Sequence, residues 1–204
     1  MMQNGFEQLS EILRSYRRSS VLFAAHELGV LNKISEESID ISTLVRALGL
    51  SKKGLERLLS ALCALGIIKK DKNTYSISSE YKNYLDPRST DFLGSLIDHE
   101  IHLHHRWTRL SEGVKSGLPV KKSKEPAKKA DTQRFIKAMA NIGQRTAPIL
   151  LEQINFNGNE HLLDLGGGPG KYIEKFCTKY PDMQVTLFDQ SETIKAAKII
   201  SFWK

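Results

Sequence analysis

The residues best placed to do chemistry lie close together: Asp164, then Gly166, Gly167, Gly168, Pro169 and Gly170, and further on Asp189. Glycines let a backbone turn sharply off a strand and let a ligand approach where a Cβ would otherwise stand. A helix starting there turns its free N–H groups and its positive dipole end toward the same spot. A carboxylate at the tip of a neighbouring strand, the position Asp189 takes after Gln184-Val185-Thr186-Leu187-Phe188, can accept hydrogen bonds from a ribose diol. Spacing narrows the ligand further. A phosphate loop needs four residues between Gly and Gly-Lys, then Ser or Thr; here three separate Gly166 from Gly170-Lys171, and Tyr172 follows. The dinucleotide pattern G-x-G-x-x-G is replaced by G-x-G-x-G, with Asp164 two residues ahead. That arrangement suits an adenosyl ligand without a pyrophosphate. The plain alternative is a tight strand–helix turn that binds nothing.

Positioning these groups requires a βαβ unit. His161 to Leu165 reads as a strand, the glycines lead into a helix ending at Lys179, and Gln184 to Phe188 reads as the second strand. Upstream, Thr132 to about Gln153 is helical, bent near Pro148. Gly113 to Ala130 is rich in Gly, Pro, Ser and Lys and reads as a mobile linker, and residues 91–114 are helical, with Phe92, Leu96, Ile97, Leu103, Trp107 and Leu110. Nearer the start, Ser42 caps a short helix that Gly49 ends, and Ser51 opens a second that Gly66 closes. Ile67-Ile68 and Tyr75-Ser76-Ile77, around Asp71-Lys72-Asn73, then form a hairpin, so this segment reads as a winged helix. Phe6, Leu9, Leu13, Tyr16, Phe23 and Leu28 predict one long amphipathic helix over 6–28, whose apolar surface needs the rest of the chain or a second copy against it.

Composition bounds the rest. The chain has 204 residues, 40% of them hydrophobic and 26% charged, which excludes a disordered or collagen-like protein. No apolar run approaches a membrane span, and the start lacks the layout of a signal peptide. Two distant cysteines, Cys63 and Cys177, exclude a disulfide framework and a cysteine zinc site and point to a reducing cytoplasm. The net charge of +7 is local: residues 115–137 carry +6, residues 42–78 carry +5, and the remainder sums to −4.

Other candidate sites compete with plainer roles. The winged helix could bind DNA through Lys52, Lys53 and Arg57, but Ala61 and Ala64 make that helix better suited to packing on another. Asp98, His102 and His105 share a helical face that could hold a metal, against the plainer reading of polar groups facing solvent or a pocket. Lys121-Lys122-Ser123-Lys124 and Lys128-Lys129 read as a solvated loop. His26, His161, Cys63 and Cys177 read as packing residues, without chemistry.

The run Leu162-Leu163-Asp164-Leu165-Gly166-Gly167-Gly168-Pro169-Gly170, with Tyr180-Pro181 and Leu187-Phe188-Asp189, resembles the cofactor motif of S-adenosylmethionine-dependent methyltransferases. More narrowly it is similar to the small-molecule O-methyltransferases of plant caffeate and bacterial antibiotic-tailoring type. Ala24-Ala25-His26-Glu27-Leu28-Gly29-Val30, the stretch from Leu55 to Ile68, Trp107-Thr108-Arg109-Leu110 and Gly117-Leu118-Pro119 extend the resemblance over roughly residues 6–200. It implies a mainly α winged-helix dimerisation domain over 1–90, an interdomain helix and basic loop over 91–130, and over 131–204 the βαβ start of a Rossmann-like α/β methyltransferase domain. Asp164, Gly166, Gly167, Gly168, Gly170 and Asp189 would bind S-adenosylmethionine, Gly166 on the sulfonium side and Asp189 on the ribose. A homodimer through the N-terminal helices and a small hydroxylated, aromatic acceptor would be the partners. The family's catalytic histidine falls after the second strand, so the expectation is an incomplete domain with no catalytic residue, inactive alone. The rivals are a winged-helix DNA-binding regulator with a vestigial ligand domain and a non-catalytic dimerising stub.

Overall fold

The computed structural model describes residues 4–120, 129–158 and 160–200. The chain divides into two compact units, Met1–Gly94 and Ser95–Lys204. The lysine run from Lys121 to Lys128 lies outside the described residues.

The first unit opens on two helices where the spacing predicts one. α1 (Gly5–Arg14) and α2 (Tyr16–Glu27) are separated at Ser15, whose hydroxyl donates to the Ile12 carbonyl at 3.0 Å. Asn4 and Glu7 form a reciprocal capping box that fixes the start of α1. A short α3 (Val30–Glu36), not foreseen, then inserts Val30, Leu31 and Ile34 into the core. α4 (Ile41–Leu48) is capped by Asp40, not Ser42: the Asp40 carboxylate accepts from the Ser42 and Thr43 N–H groups. Asp40 also belongs to a two-residue strand, β1 (Ile39–Asp40). Extended backbone and a capping carboxylate therefore coincide one residue ahead of the helix.

α5 (Lys52–Ala64), capped by Ser51, buries Leu55, Leu59 and Leu62 and leaves Lys52, Lys53, Glu56, Arg57 and Ser60 exposed. Each buried leucine is worth roughly 1.5–3 kcal/mol relative to an exposed one. β2 (Ile68–Asp71) and β3 (Thr74–Ile77) form the hairpin, and β1 adds to β3, giving an antiparallel sheet of order β1-β3-β2. Helices α2 to α5 and this sheet make a winged helix around Leu31, Ile34, Leu44, Leu59, Leu62 and Ile68.

A short α6 (Lys82–Leu85) closes the unit and hands the chain to Asp86. The Asp86 carboxylate is bridged by Arg88 at 2.8 Å, and the same guanidinium donates to the Ser35 carbonyl at 2.9 Å, tying this segment to the end of α3.

In the second unit, α7 (Gly94–Trp107) and α8 (Leu110–Ser116) replace the continuous helix predicted over 91–114, with the break at Thr108 and Arg109. α8 runs through Gly113, and α9 (Lys129–Gln153) already includes Lys129 and Ala130, so both ends of the predicted linker are helical. Pro148 sits inside α9 and withholds one N–H from its ladder. β4 (His161–Leu165), α10 (Lys171–Lys179) and β5 (Gln184–Phe188) form the expected βαβ unit, with β4 and β5 parallel and Leu165 opposite Phe188. α11 (Ser191–Ile200), not foreseen, follows at once. α10 and α11 both pack on α9, burying Ile136, Ile173, Phe176, Ala196 and Ala197. His161 does not pack inside: it is exposed and meets the Thr186 hydroxyl on the neighbouring strand at 2.8 Å. Among the described residues no helix is long and apolar enough to cross a membrane.

The Asp86–Arg88 contact makes stability depend on acid. The Arg88 side-chain bond, then its backbone bond, holds the Asp86 carboxyl down at about 2, against an ordinary value of 3.8. A depressed folded-state value adds stability above the unfolded value, lost as pH falls through the folded one. Urea unfolding of the chain should therefore show stability falling between about pH 4 and pH 2. Asp86→Asn should remove that part of the slope and lower the plateau at neutral pH; an unchanged profile would refute the assignment.

Candidate functional site

The strand-to-helix turn after β4 is built from residues that only glycine serves. Gly166, Gly168 and Gly170 have φ of +74°, +55° and +70°, a region costing other L-residues roughly 1–2 kcal/mol. Gly167 is needed for a different reason: a Cβ there would collide with the Asp164 carboxyl group and the Leu187 side chain. The Gly166 N–H donates to the Phe188 carbonyl at 2.7 Å, joining the ends of β4 and β5, and the Gly170 N–H closes the turn onto Gly167 at 2.9 Å. Gly170 is the N-cap of α10.

Asp189 reaches back into this turn. One carboxylate oxygen accepts the Gly168 N–H at 2.9 Å and the other accepts the Gln190 N–H at 2.6 Å. A carboxylate offers about four acceptor positions, so both oxygens retain capacity for a ligand. Asp164 lies beneath the turn, with its Oδ2 buried and without a hydrogen-bond partner among the described residues. Burial raises its pKa above the ordinary carboxylate value, and the negative charge of Asp189 adds to that shift.

Above the turn is a cavity of about 770 Å³, within the range of small-molecule sites. Gly166, Gly167, Gly168 and Asp189 line it, whereas Asp164 and Gly170 support it from behind. One wall is α9, through Phe135, Met139, Ile142 and Gly143; α7 adds His99, His102, Leu103 and Arg106; Tyr172, Gln190 and Thr193 complete the rim. The α9 wall was missed in the sequence. Its three-to-four spacing is legible as an apolar stripe, but periodicity does not say whether a stripe faces core or cavity. Tyr172 is held by the Thr146 hydroxyl at 2.7 Å.

The other candidates separate from this site. Among the described residues no group of three His, Cys, Asp or Glu side chains is placed to hold a metal; of the α7 histidines, His99 and His102 line the cavity instead. Cys63 and Cys177 are free, half-buried thiols whose pKa burial raises, which makes them poor nucleophiles.

Comparison with known proteins agrees with both units. The O-methyltransferase dimerisation domain matches residues 10–85, and the O-methyltransferase domain matches residues 117–202. The 3-hydroxy-5-methyl-1-naphthoate 3-O-methyltransferase of Streptomyces sahachiroi is 24% identical over 89% of this chain and 54% of its own length. Acetylserotonin O-methyltransferase of Macaca mulatta is 26% identical over 96% of this chain and 62% of its own. The crystal structure of human N-acetylserotonin methyltransferase in complex with SAM superposes with a TM-score of 0.83 at 21% identity, over all of this chain and 64% of that one. At that identity the likeness shows the fold. The chain thus spans between half and two thirds of the length of these relatives.

The turn yields a direct test. Gly167→Ala should destabilise the second unit by about 1–3 kcal/mol, the usual cost of overpacking, as read by urea denaturation. A neutral effect would mean that Asp164 does not occupy the space under the turn.

Proposed function

The chain belongs to the O-methyltransferases that carry an N-terminal dimerisation domain, and from that premise we propose that it binds S-adenosylmethionine at the β4–α10 turn. The acceptor is a small aromatic molecule with a free hydroxyl group. When bound, the cofactor supplies a methyl group on a sulfur cation, open to attack by an oxygen. The observation that carries this reading is the Asp189 carboxylate held at 2.9 Å from the Gly168 N–H. Acid and glycine turn share one crevice, with a diol acceptor beside a backbone cleared of side chains.

The chain's own residues would act by binding, orientation and exclusion of water. Gly166 and Gly168 let the cofactor lie against bare backbone, and Asp189 takes the ribose hydroxyls. Asp164 and Gly170 shape the turn from beneath. Phe135, Met139 and Ile142 give an aromatic acceptor an apolar wall. The relatives' names agree in class, since they methylate 3-hydroxy-5-methyl-1-naphthoate, acetylserotonin and a tetracenomycin polyketide. The resemblance assigns proton removal to a histidine after the second strand, and the 204 residues hold none after His161. Binding without turnover is therefore the behaviour we assign to these residues alone. A DNA-binding regulator is not favoured, because the winged helix lies within the dimerisation-domain match.

Isothermal titration with S-adenosylhomocysteine should give measurable binding, weakened at least tenfold (about 1.4 kcal/mol) by Asp189→Ala. The same preparation should transfer no labelled methyl to a phenol. Equal affinity in the variant would overturn the cofactor site, and turnover would overturn the assignment of proton removal.

The dimer is read from α1, which buries none of its residues; Phe6 and Ile12 are 76% and 70% exposed, beside Leu9, Leu13 and Tyr16. A patch of that kind marks an interface. Sedimentation velocity should find a homodimer that Leu9→Glu with Leu13→Glu converts to monomer; a dimer surviving that change would place the interface elsewhere.

A further inference from the structure

The cavity is walled along α9 from Phe135 to Gly143, and its Gly143 end is where α10 leaves the glycine turn. The two helices come close there because Gly143 has no side chain: a Cβ would lie 2.8 Å from the Lys171 Cβ. A crossing at glycine brings backbones together but supplies no side chain to interlock, so alone it leaves the helices free to slide. The bonds of the turn do not prevent this. Gly166 and Gly168 are tied to β5 and to Asp189 after it, and Gly170 is tied only to Gly167 within the turn.

Past the turn, the Lys171 ammonium stays within α10, on Glu174 at 2.7 Å. Tyr172 follows, and its hydroxyl lies 2.7 Å from the hydroxyl of Thr146, one turn along α9 from Ile142. Proton counting gives the direction of that bond. The single Thr146 hydroxyl proton goes to the Ile142 carbonyl at 3.1 Å, so Tyr172 donates and Thr146 accepts. Tyr172 and Ile142 line the cavity, whereas Thr146 is not among its lining residues. One end of the bond thus belongs to the cavity's rim and the other to the wall helix outside it.

We propose that Thr146 and Tyr172 are a pair of positioning residues: their bond sets the register of α10 on α9, and with it the clearance between the glycine turn and the α9 wall. Thr146 acts on the ligand through Tyr172. The inference rests on the reading of the turn as the cofactor site. Removing the Tyr172 hydroxyl strands no donor, because Thr146 keeps its bond to Ile142, so the fold should tolerate the change.

The test is isothermal titration with S-adenosylhomocysteine on the full 204-residue chain. Tyr172→Phe and Thr146→Val should each weaken binding three- to tenfold, the range one hydrogen bond commands. The double variant should lose no more than either single one, because both remove the same bond. Thr146→Ser, which keeps the hydroxyl, should bind within twofold of the parent. A bond that merely stabilises the unit would lower the urea midpoint and leave affinity at the parental value. Parental affinity in either single variant, or losses that add in the double variant, would overturn the proposal. Asp189→Ala titrated in parallel keeps the two readings apart. Binding that this change weakens and the pair's substitutions do not removes the positioning role alone, whereas a parent chain that binds nothing removes the cofactor site and the pair with it.

Discussion

The whole site depends on one small volume staying clear of side chain. Under Gly167 the Asp164 carboxyl and Leu187 already fill the space that a Cβ would take. That clearance lets the chain leave β4, turn through Gly166 and Gly168 at positive φ, and enter α10 from Gly170. It also puts the Gly168 N–H where Asp189, at the end of the next strand, can accept it. The two strand ends are thus joined twice, by the Gly166 to Phe188 bond through backbone and by Asp189 through side chain. A turn fixed in this way needs little rearrangement to receive a ligand, which is the condition for binding energy to go into orientation.

Helix α9 carries the next level. α10 and α11 pack on it, and Ala138 and Ala147 are buried, while Phe135, Ile136, Met139 and Ile142 line the cavity. The close crossing at Gly143 sets how near α10 comes, and hence where its N-terminus points. Packing and recognition share a single helix: the residues that stabilise the unit also set the distance between the two ends of the pocket.

Much of this is legible in the sequence where local chemistry decides it. The βαβ unit is punctuated by glycines and Pro181 and shows the two-residue period of strands, so its elements fall where spacing puts them. The winged helix is marked in the same way by Ser51, Gly49 and Gly66. What escapes is what local signals leave open. Ser15 keeps helical dihedrals while breaking α1 from α2, and nothing in its neighbours announces that. Asp40 and Ser42 are both competent caps two residues apart, and pairing of Ile39 and Asp40 with β3 decides between them. α3 is seven residues long, too short for a period to show. The α9 stripe and the α7 face reach the cavity only through tertiary packing, so the glycine turn is legible in the sequence and the α7–α9 wall is not.

The two faces of the β4–β5 pair differ in what they meet. Successive side chains alternate, so Leu162, Asp164, Val185 and Leu187 turn toward the helices, whereas Leu163, Leu165 and Phe188 are exposed at 58%, 73% and 61%. Parallel strands are normally covered on both sides, and this face is apolar and open. The ligand geometry draws on the other side: the turn rests on Asp164 and Leu187, and the cavity walls come from α7, α9 and the residues after β5. The crevice is therefore built on the side of the strands that the helices cover.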